Sequence, residues 1–576
     1  MIKAANLSYS FPQKDLYNKI SFSLDAGQHC AFIGTSGSGK STLTEILINP
    51  EKYSFTGKLA IDPNCRIGYV SQFSQLDKSI EMTVFEYLGQ EFSQLQNEIA
   101  SICTEMETAT ELDALLEKYQ KALDDFQAID GDDFESSIRR KLNLANLARL
   151  ENQKVSELSG GEFKLIQVIR ELLTRPDLVI MDEPDVFLDF ENLNALKNLI
   201  NSHKGTLLVI THNRFLLNHC FNKIMQLENM ELQEFDGRYL EYNLSLLQRK
   251  IELQELALAD TEEIKRNEIL IDKLRFIATN NSEAARGKSL NARVKYQERL
   301  EARRINMPFV NIQQPDISLV TDQKSEDLIA LKICDYSVAF EDILLKDVSF
   351  EIMSTDKVAL IGSNGTGKTT LLREIYKNNH PAIELGPDVE VAYLSQLQSE
   401  MLNESNTIFE EFFAAGFETY DEIKAHLANY QFDLDAIDQK IETLSGGEKN
   451  ILQLAKIASI QANMLLLDEP TSHLDTYSQI ALETALKNYQ GAILMISHDF
   501  YSIVNCMDYV LIIEDKTIKK MNMKKFRKMI YHSHFDQKYV ELDQAIKKAE
   551  TKIARALQDA DFELAKGFSE ELEMLI

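Results

Sequence analysis

The chain has 576 residues, too many for a single hydrophobic core, so two or more domains are expected. Apolar residues make up 44% of it, and no run approaches the ~20 apolar residues of a membrane-spanning helix, which excludes an integral membrane protein. Six scattered cysteines without a C-x-x-C pair and a beginning without a signal-peptide pattern indicate a cytoplasmic protein, and a net charge of −29 disfavours nucleic-acid binding outside local basic segments.

Two phosphate-binding loops lie 328 residues apart, each predicted between an apolar strand and a helix. The first is Gly-Thr-Ser-Gly-Ser-Gly-Lys-Ser at 34–41, and the second is Gly-Ser-Asn-Gly-Thr-Gly-Lys-Thr at 362–369. In this motif the glycines let backbone N–H groups surround the phosphates, the lysine reaches the β- and γ-phosphates, and the final hydroxyl holds Mg²⁺. The predicted ATP-binding residues of the loops are Gly34, Ser36, Gly37, Gly39, Lys40, Ser41 and Thr42, and Gly362, Asn364, Gly365, Gly367, Lys368, Thr369 and Thr370.

The same further motifs follow both loops in the same order. The first is a Tyr-x-Ser-Gln segment, which ends at Gln72 in the first half and at Gln396 in the second, and the next is a Leu-Ser-Gly-Gly-Glu segment at 158–162 and 444–448. An apolar strand follows and ends in Asp182-Glu183 or Asp468-Glu469. A second apolar strand ends near His212 or His498. Continuous apolar runs of this kind indicate strands buried on both faces of a parallel sheet. A lone Asp-Glu pair or histidine after a strand usually has no special role, but recurrence in register behind a phosphate loop indicates function.

An insertion distinguishes the first half from the second. The spacing from Gln72 to Ser159 is 87 residues, whereas Gln396 and Ser445 are 49 apart. Apolar residues recur at alternating three- and four-residue spacing within 92–106 and again, starting at Leu112, within 112–126. The pattern predicts two amphipathic helices in a hairpin, for which packing alone is the favoured role.

The segment between the halves and the end of the chain are both predicted to be helical. Residues 244–325 are rich in helix formers and predict a long helix, a turn and a returning helix. Basic residues alternate with small and polar ones around the turn, which suits a tip that contacts a phosphate backbone. The predicted RNA-binding residues are Arg275, Arg286, Lys288, Arg293, Lys295 and Arg299. A second stretch, Lys516–Lys528, has seven basic residues and no acid, and whether it contacts RNA is left open.

The order of motifs resembles the ATP-binding cassette superfamily, and two cassettes on one chain without a membrane domain resemble its F subfamily of ribosome-associated ATPases. The resemblance implies an α/β fold of two tandem P-loop cassette domains joined by a long helical linker, with a helical arm insert and a helical C-terminal extension. The expected domains are a first cassette at 1–243 with its arm at about 83–138, a linker at 244–325 with a basic tip, a second cassette at 326–532, and an extension at 533–576.

The resemblance also implies the roles of the site residues. The glutamates Glu183 and Glu469 would polarise the attacking water, and the histidines His212 and His498 would assist at the γ-phosphate. Mg²⁺ would be held by Ser41, Gln72, Asp182, Thr369, Gln396 and Asp468. The ATP on Lys40 would be capped by Ser445, Gly446 and Gly447, and the ATP on Lys368 by Ser159, Gly160 and Gly161. Phe11 and Phe340 occupy the place of an adenine-stacking ring, although a lone phenylalanine is equally a core residue.

Three features of the sequence depart from the family pattern. The first cassette has Pro-Asp-Val-Phe-Leu-Asp at 184–189 where Pro-Thr-Asn-His-Leu-Asp is usual, and the second keeps Pro-Thr-Ser-His-Leu-Asp at 470–475. Asn213 stands where aspartate is usual, and Phe500 stands where arginine is usual. The phosphate, metal and glutamate positions are intact in both sites, so both are expected to bind ATP, and the departures allow their hydrolysis rates to differ.

The resemblance implies a Mg²⁺-dependent ATPase that acts in the cytoplasm as a monomeric translation factor. Its arm would contact large-subunit rRNA near the ribosomal exit site, and its linker tip would probe peptidyl-tRNA. The alternative is an antibiotic-resistance protein that protects the ribosome, which the short interdomain loop disfavours. The arm and the basic linker argue against a third interpretation, the ATPase subunit of a membrane transporter.

Overall fold

A computed structural model describes residues 1–11, 14–72, 79–107, 112–186, 188–280, 293–296, 299, 315–321, 328–339, 343–432, 437–534, 537–559 and 561–576. The chain divides into two compact units, of which the first joins Met1–Asp236 to Gln314–Ile530 and the second joins Gly237–Gln313 to Tyr531–Ile576. The first unit holds two copies of one α/β domain, and we call Met1–Asp236 the first cassette and Gln314–Ile530 the second cassette.

The first cassette combines a small antiparallel sheet with a larger, mostly parallel one. Its strands are β1 (Ile2–Phe11), β2 (Lys14–Leu24), β3 (His29–Gly34), β4 (Thr56–Ile61), β5 (Ile67–Val70), β6 (Leu178–Asp182), β7 (Thr206–Ile210), β8 (Lys223–Glu228) and β9 (Glu231–Asp236). Its helices are α1 (Lys40–Ile48), α2 (Val84–Leu88), α3 (Gln90–Met106), α4 (Asp113–Ala128), α5 (Phe134–Leu144), α6 (Gly160–Leu173), α7 (Phe190–Ser202) and α8 (Arg214–Cys220). The sheet orders are β2-β1-β4 and β5-β6-β7-β3-β8-β9, with β9 antiparallel to β8.

The second cassette repeats this plan. After the linker helix α9 (Tyr239–Asn280), its strands are β10 (Ile329–Ala339), β11 (Ile343–Met353), β12 (Lys357–Ile361), β13 (Ile383–Leu385), β14 (Val391–Leu394), β15 (Met464–Asp468), β16 (Ala492–Ile496), β17 (Tyr509–Glu514) and β18 (Thr517–Asn522). Its helices are α10 (Lys368–Lys377), α11 (Ile408–Ala414), α12 (Tyr420–Ala428), α13 (Gly446–Ala458), α14 (Thr476–Asn488), α15 (Phe500–Cys506) and α16 (Met523–His534), and the sheet orders are β11-β10-β13 and β14-β15-β16-β12-β17-β18.

Strand order brings the predicted motifs of each cassette to one edge of its large sheet. In the first cassette β6, β7 and β3 are parallel neighbours, so the residues that follow them share an edge. Every residue of β6 and β7 is buried, as expected for strands covered on both faces. The phosphate loop, the Asp-Glu pair and the histidine therefore converge although they are far apart in sequence.

The arm and the fold class follow the prediction. Two tandem cassettes, a helical linker, a helical insert and a helical C-terminal part are all present, so the predicted fold class is confirmed. The arm helices α3 and α4 pack against each other and bury Phe92, Ile102, Ala122 and Phe126. Leu112, assigned by spacing to the second apolar stripe, is instead 47% exposed and precedes α4, which begins at Asp113.

The second unit is built on α9, a helix of 42 residues. The C-terminal helices α17 (Gln537–Gln558) and α18 (Phe562–Leu575) pack with it around a buried apolar cluster. The cluster contains Leu244, Ile251, Ile546, Ala549, Ile553, Ala556, Ala565 and Leu572. The predicted return of the linker falls mostly outside the described residues. No helix in the described part of the chain combines the length and apolarity needed to cross a membrane.

Candidate functional site at the seam between the cassettes

The two phosphate loops hold their lysines in the same way. Lys40 Nζ donates to the carbonyl oxygens of Gly34 and Thr35, both at 2.9 Å, and Lys368 Nζ donates to Gly362 at 2.7 Å and Ser363 at 2.9 Å. Burial lowers the pKa of both lysines. The glycines Gly37, Gly39, Gly365 and Gly367 all have positive φ, a conformation that side chains rarely adopt. In each loop the carbonyl oxygens thus fix the position of the lysine ammonium group, next to the backbone N–H groups that would surround the phosphates.

The aspartates at the ends of β6 and β15 have the properties of cation ligands. Asp182 is 3% exposed and Asp468 is 1% exposed, and burial raises the pKa of each to about 6. Within the described residues, Asp182 Oδ1 and both carboxylate oxygens of Asp468 are buried without a hydrogen-bond partner. Unpartnered buried carboxylate oxygens are costly for a protein alone, and oxygen ligands of this kind suit a divalent cation. The donor set fits the metal that the sequence implies.

The glutamates that follow these aspartates have strained backbones. Glu183 has φ 45° and Glu469 has φ 51°, in the left-handed region that non-glycine residues rarely occupy. Their N–H groups donate to Ile210 O and Ile496 O, each at 2.9 Å, which holds the turn in place. A conformation of this kind costs about 1–3 kcal/mol and persists where the surroundings impose it, often at functional sites.

The carboxylate of Glu183 is held by partners from both cassettes. Gln72 Nε2 donates to Glu183 Oε2 at 2.6 Å, and His473 Nδ1 of the second cassette lies 2.9 Å from the same oxygen. Burial would raise the pKa of Glu183, but the hydrogen bond from His473 and nearby positive charges lower it to about 2. Glu183 is therefore ionised and fixed in direction.

Glu469 has a different environment. The backbone N–H of His498 donates to Glu469 Oε2 at 3.2 Å, and His498 Nε2 lies 3.6 Å from Oε1. Oε1 is buried and has no hydrogen-bond partner among the described residues. Burial and the neighbouring Asp468 raise the pKa of Glu469 to about 8. The two predicted catalytic glutamates are thus chemically unequal.

Of the two predicted γ-phosphate histidines, His212 is buried and His498 is half-buried, with a side chain that is 12% exposed. Burial and the nearby Lys40 lower the pKa of His212 to about 4, and burial and Lys368 lower that of His498 to about 3. Both rings are neutral at pH 7. The His498 ring lies 5.9 Å from the Phe190 ring of the first cassette, in an edge-on arrangement.

The cassettes meet so that each phosphate loop faces a loop of the other. The Ser36 N–H donates to Asp475 Oδ2 at 3.4 Å, and the Asn364 N–H donates to Asp189 Oδ2 at 3.3 Å. A Cβ on Gly447 would lie 2.4 Å from Ser36 Oγ, so the second cassette's glycine-rich segment is in close contact with the first phosphate loop. The first phosphate loop therefore lies against the second cassette at both Asp475 and Gly447.

The remaining predicted residues are placed as follows. Ser159 and Ser445 cap α6 and α13 through capping boxes with Glu162 and Glu448, and Gly161 and Gly446 lie in the first turns of those helices. Ser41 is exposed, whereas Thr42, Thr369, Thr370 and Gln396 are half-buried. Phe11 is 46% exposed and its ring lies 5.3 Å from Tyr9, whereas Phe340 is outside the described residues. Arg293, Lys295 and Arg299 are exposed, but Arg286, Lys288 and the Arg275 side chain are outside the described part.

Sequence reasoning missed the residues that act across the seam. His473, Asp189 and Asp475 were visible only as parts of the loop pattern after each Asp-Glu pair. The signal available was the difference at one position, where the second cassette has His473 and the first has Phe187. The backbone of His473 is also in the left-handed region, with φ 61°.

Adding a methyl group at Gly447 is expected to reduce ATP turnover roughly tenfold. The new Cβ would lie 2.4 Å from Ser36 Oγ and 2.7 Å from the His473 carbonyl oxygen, and overpacking of this kind costs about 1–3 kcal/mol. Steady-state phosphate release by Gly447→Ala measures the effect. Gly567→Ala, where the methyl meets nothing within 4 Å, is the control. Wild-type turnover in Gly447→Ala would contradict the contact.

Known proteins share the sequence motifs and the fold described above. The family model described as ABC transporter matches residues 17–186 and 345–472. The energy-dependent translational throttle protein EttA of Escherichia coli (strain K12) is 30% identical over 527 residues, which are 88% of this chain and 90% of that protein. ABC transporter F family member 5 of Arabidopsis thaliana is 28% identical over 530 residues, 89% of this chain and 75% of that one. The crystal structure of an archaeal ribosome recycling factor, aABCE1, shares the fold, with a TM-score of 0.53, 16% identity and coverage of 91% of this chain and 92% of that one.

Proposed function

This chain belongs to the F subfamily of the ATP-binding cassette family, and on that basis we propose that it is a translation factor whose ATPase cycle controls its stay on the ribosome. The chain is an ATPase that binds nucleotide with a divalent cation, which we propose is Mg²⁺. It would act in the cytoplasm as a monomer, with its two cassettes as partners of each other.

We assign the following roles at the first site. Lys40 and the loop N–H groups bind the β- and γ-phosphates, and Ser445 and Gly447 of the Leu-Ser-Gly-Gly-Glu segment cap the nucleotide from the other cassette. Asp182 and Ser41 would hold the cation, which would neutralise phosphate charge when bound. The Glu183 carboxylate, ionised and oriented by Gln72, accepts the proton of the attacking water.

The observation that carries the proposal is the close fit of opposite cassettes at the phosphate loops. Ser36 contacts Asp475 and approaches Gly447, so nucleotide bound to the first loop would lie between the two halves. A ligand that contacts both cassettes favours the closed arrangement over an open one, and hydrolysis removes that preference. Occupancy by ATP would therefore set the shape of the first unit.

The ribosome enters the proposal through the relatives and the linker. EttA is by name a translational throttle protein, and the archaeal structural neighbour is a ribosome recycling factor. In this chain Arg293, Lys295 and Arg299 of the predicted linker tip are exposed, as contact with RNA phosphates requires. We propose that the arm binds near the exit site on large-subunit rRNA and that the tip approaches peptidyl-tRNA.

Trapping the ATP-bound form is expected to fix the protein on ribosomes. Glu183→Gln/Glu469→Gln removes both predicted bases while leaving the phosphate loops intact, so bound ATP would persist. With ATP, this variant should sediment with purified ribosomes through sucrose, whereas adding Lys40→Ala/Lys368→Ala should release it. Absence of the trapped variant from the ribosome fraction would reject the proposal. Drug susceptibility of cells with and without the chain separates a general translation role from ribosomal protection against an antibiotic.

A further inference from the structure

A surface of lysines lies on the second cassette, outside the ATP sites. It comprises Lys346, Lys516, Lys519, Lys520, Lys524, Lys525 and Lys528, all exposed, and we call it the lysine surface. Lys516 lies in the turn between β17 and β18, and its carbonyl oxygen accepts a hydrogen bond of 2.8 Å from the N–H of Lys346 on β11. The hairpin and the start of α16 thus gather lysines that are up to 182 residues apart in sequence.

The fold itself does not require these lysines, because the first cassette builds the same hairpin without them. There the Asn18 N–H donates to Met230 O at 2.9 Å, which is the counterpart of the Lys346–Lys516 bond. The two hairpins, β8–β9 and β17–β18, have the same register. Gln233 is therefore the counterpart of Lys519, and Glu234 is the counterpart of Lys520. The strand β9 also carries acids at both ends, Glu231 and Asp236. The first hairpin, 223–236, thus has four acids and one lysine, whereas its copy, 509–522, has three lysines and two acids, Glu514 and Asp515.

Most of the positive charge on this surface has no internal partner. Lys519 pairs with Glu514 at 3.0 Å, and Lys520 Nζ lies 3.6 Å from the centre of the Tyr509 ring. In the described part of the chain, Lys516, Lys524, Lys525 and Lys528 form no ion pair within 4 Å, although Asp515 precedes Lys516 in sequence. Like charges gathered within a Debye length of about 8 Å repel each other. An anionic partner would relieve this repulsion, and in a chain of net charge −29 a local excess of lysines is unusual.

The apolar residues of the same segment point to nucleic acid rather than to a lipid surface. A helix that lies in a membrane interface exposes aromatic or leucine side chains beside its lysines. On α16 the corresponding side chains are inside the cassette, with Phe526 0% and Ile530 5% exposed. What remains outside is ammonium groups, which bind phosphates as point charges.

We propose that the lysine surface binds the phosphate backbone of folded RNA without regard to sequence. The inference rests on the proposed function in that the RNA would be ribosomal. It adds a contact on the second cassette that is separate from the linker tip and the arm. Its strength should follow the salt law of counterion release, since each neutralised phosphate frees condensed cations.

The test compares two variants of the full chain that change net charge equally. Lys516→Gln/Lys524→Gln/Lys525→Gln/Lys528→Gln removes the unpartnered lysines, and Lys3→Gln/Lys52→Gln/Lys58→Gln/Lys377→Gln removes four exposed lysines elsewhere. Binding to a 20-base-pair RNA hairpin is measured between 50 and 200 mM KCl. The first variant should bind at least about tenfold more weakly at 100 mM, with a salt slope reduced by about 0.9 for each lost phosphate contact. The second variant should match the wild type, and both should keep wild-type ATP turnover.

Three outcomes decide the matter. Equal loss in both variants would show a general charge effect, and no loss in the first would show that RNA does not use this surface; either overturns the inference. Lysine-dependent binding to phosphatidylserine vesicles but not to the RNA hairpin would also overturn it. Because the RNA hairpin replaces the ribosome, this result is independent of the sedimentation experiment, whose failure would reject only the proposed function.

Discussion

Replacing His473 with phenylalanine is expected to lower ATP turnover at the first site by about 10- to 100-fold. The His473 ring lies 2.9 Å from the Glu183 carboxylate across the seam, and hydrogen bonds to charged groups contribute about 1.5–3 kcal/mol. The variant is made in a Glu469→Gln background, so that phosphate release reports the first site alone. Because His473 positions a carboxylate rather than ATP, kcat should fall while the KM for ATP changes little.

Two companion variants separate positioning from simple disruption. His473→Asn keeps a side-chain donor and should recover part of the lost turnover, whereas a merely structural defect would not be relieved. The reciprocal change, Phe187→His in a Glu183→Gln background, places a histidine at the corresponding position of the first cassette's loop. It should raise turnover at the second site, where Glu469 Oε1 has no partner among the described residues. If His473→Phe raised KM and left kcat unchanged, His473 would be a nucleotide-binding residue instead.

Replacing Arg214 with methionine is expected to destabilise the first unit by about 3–5 kcal/mol, the cost of leaving buried charges without their partner. The Arg214 side chain is 12% exposed, donates to Asp499 Oδ2 at 2.8 Å and also pairs with Glu483, both in the second cassette. Its guanidinium lies 4.8 Å from the centre of the Tyr501 ring. Urea unfolding followed by tyrosine fluorescence measures the change.

The control for Arg214 removes the charges it faces. Arg214→Met/Glu483→Gln/Asp499→Asn leaves no buried unpaired charge and should recover much of the lost stability. A loss below about 1 kcal/mol in the single variant would show that the pair behaves like a surface ion pair. Because the cassettes are copies, the equivalent positions could form a second Arg–Asp pair across the seam. Those positions hold Phe500, the counterpart of Arg214, and Asn213, the counterpart of Asp499, so the second pair is not formed.

The parts of the site that lie within one cassette could be predicted from sequence. A phosphate loop is a local motif, because the strand before it and the helix after it determine where its lysine and N–H groups lie. Apolar runs that end in Asp-Glu or histidine identify strands of a parallel sheet, and their carboxyl ends meet at one edge. Lys40, Asp182, Glu183 and His212 were therefore assigned together without coordinates.

The contacts between cassettes could not be predicted in the same way. His473 and Glu183 are 290 residues apart, and no periodicity or spacing relates the loop of one cassette to the strand end of the other. The same holds for Arg214 and Glu483, which are 269 residues apart. The departures at Phe187, Asn213 and Phe500 were visible, but without the seam they had no partner and so no physical meaning.

Sequence alone thus determined the two ATP-binding motifs and the repeated α/β fold, since short-range geometry specifies both. Tertiary structure alone decided that the sites are unequal. It does so by placing a histidine beside one predicted catalytic glutamate and by leaving an oxygen of the other buried without a described partner. Burial and hydrogen bonding act through space, so the character of a carboxylate depends on neighbours that the chain brings from the other half.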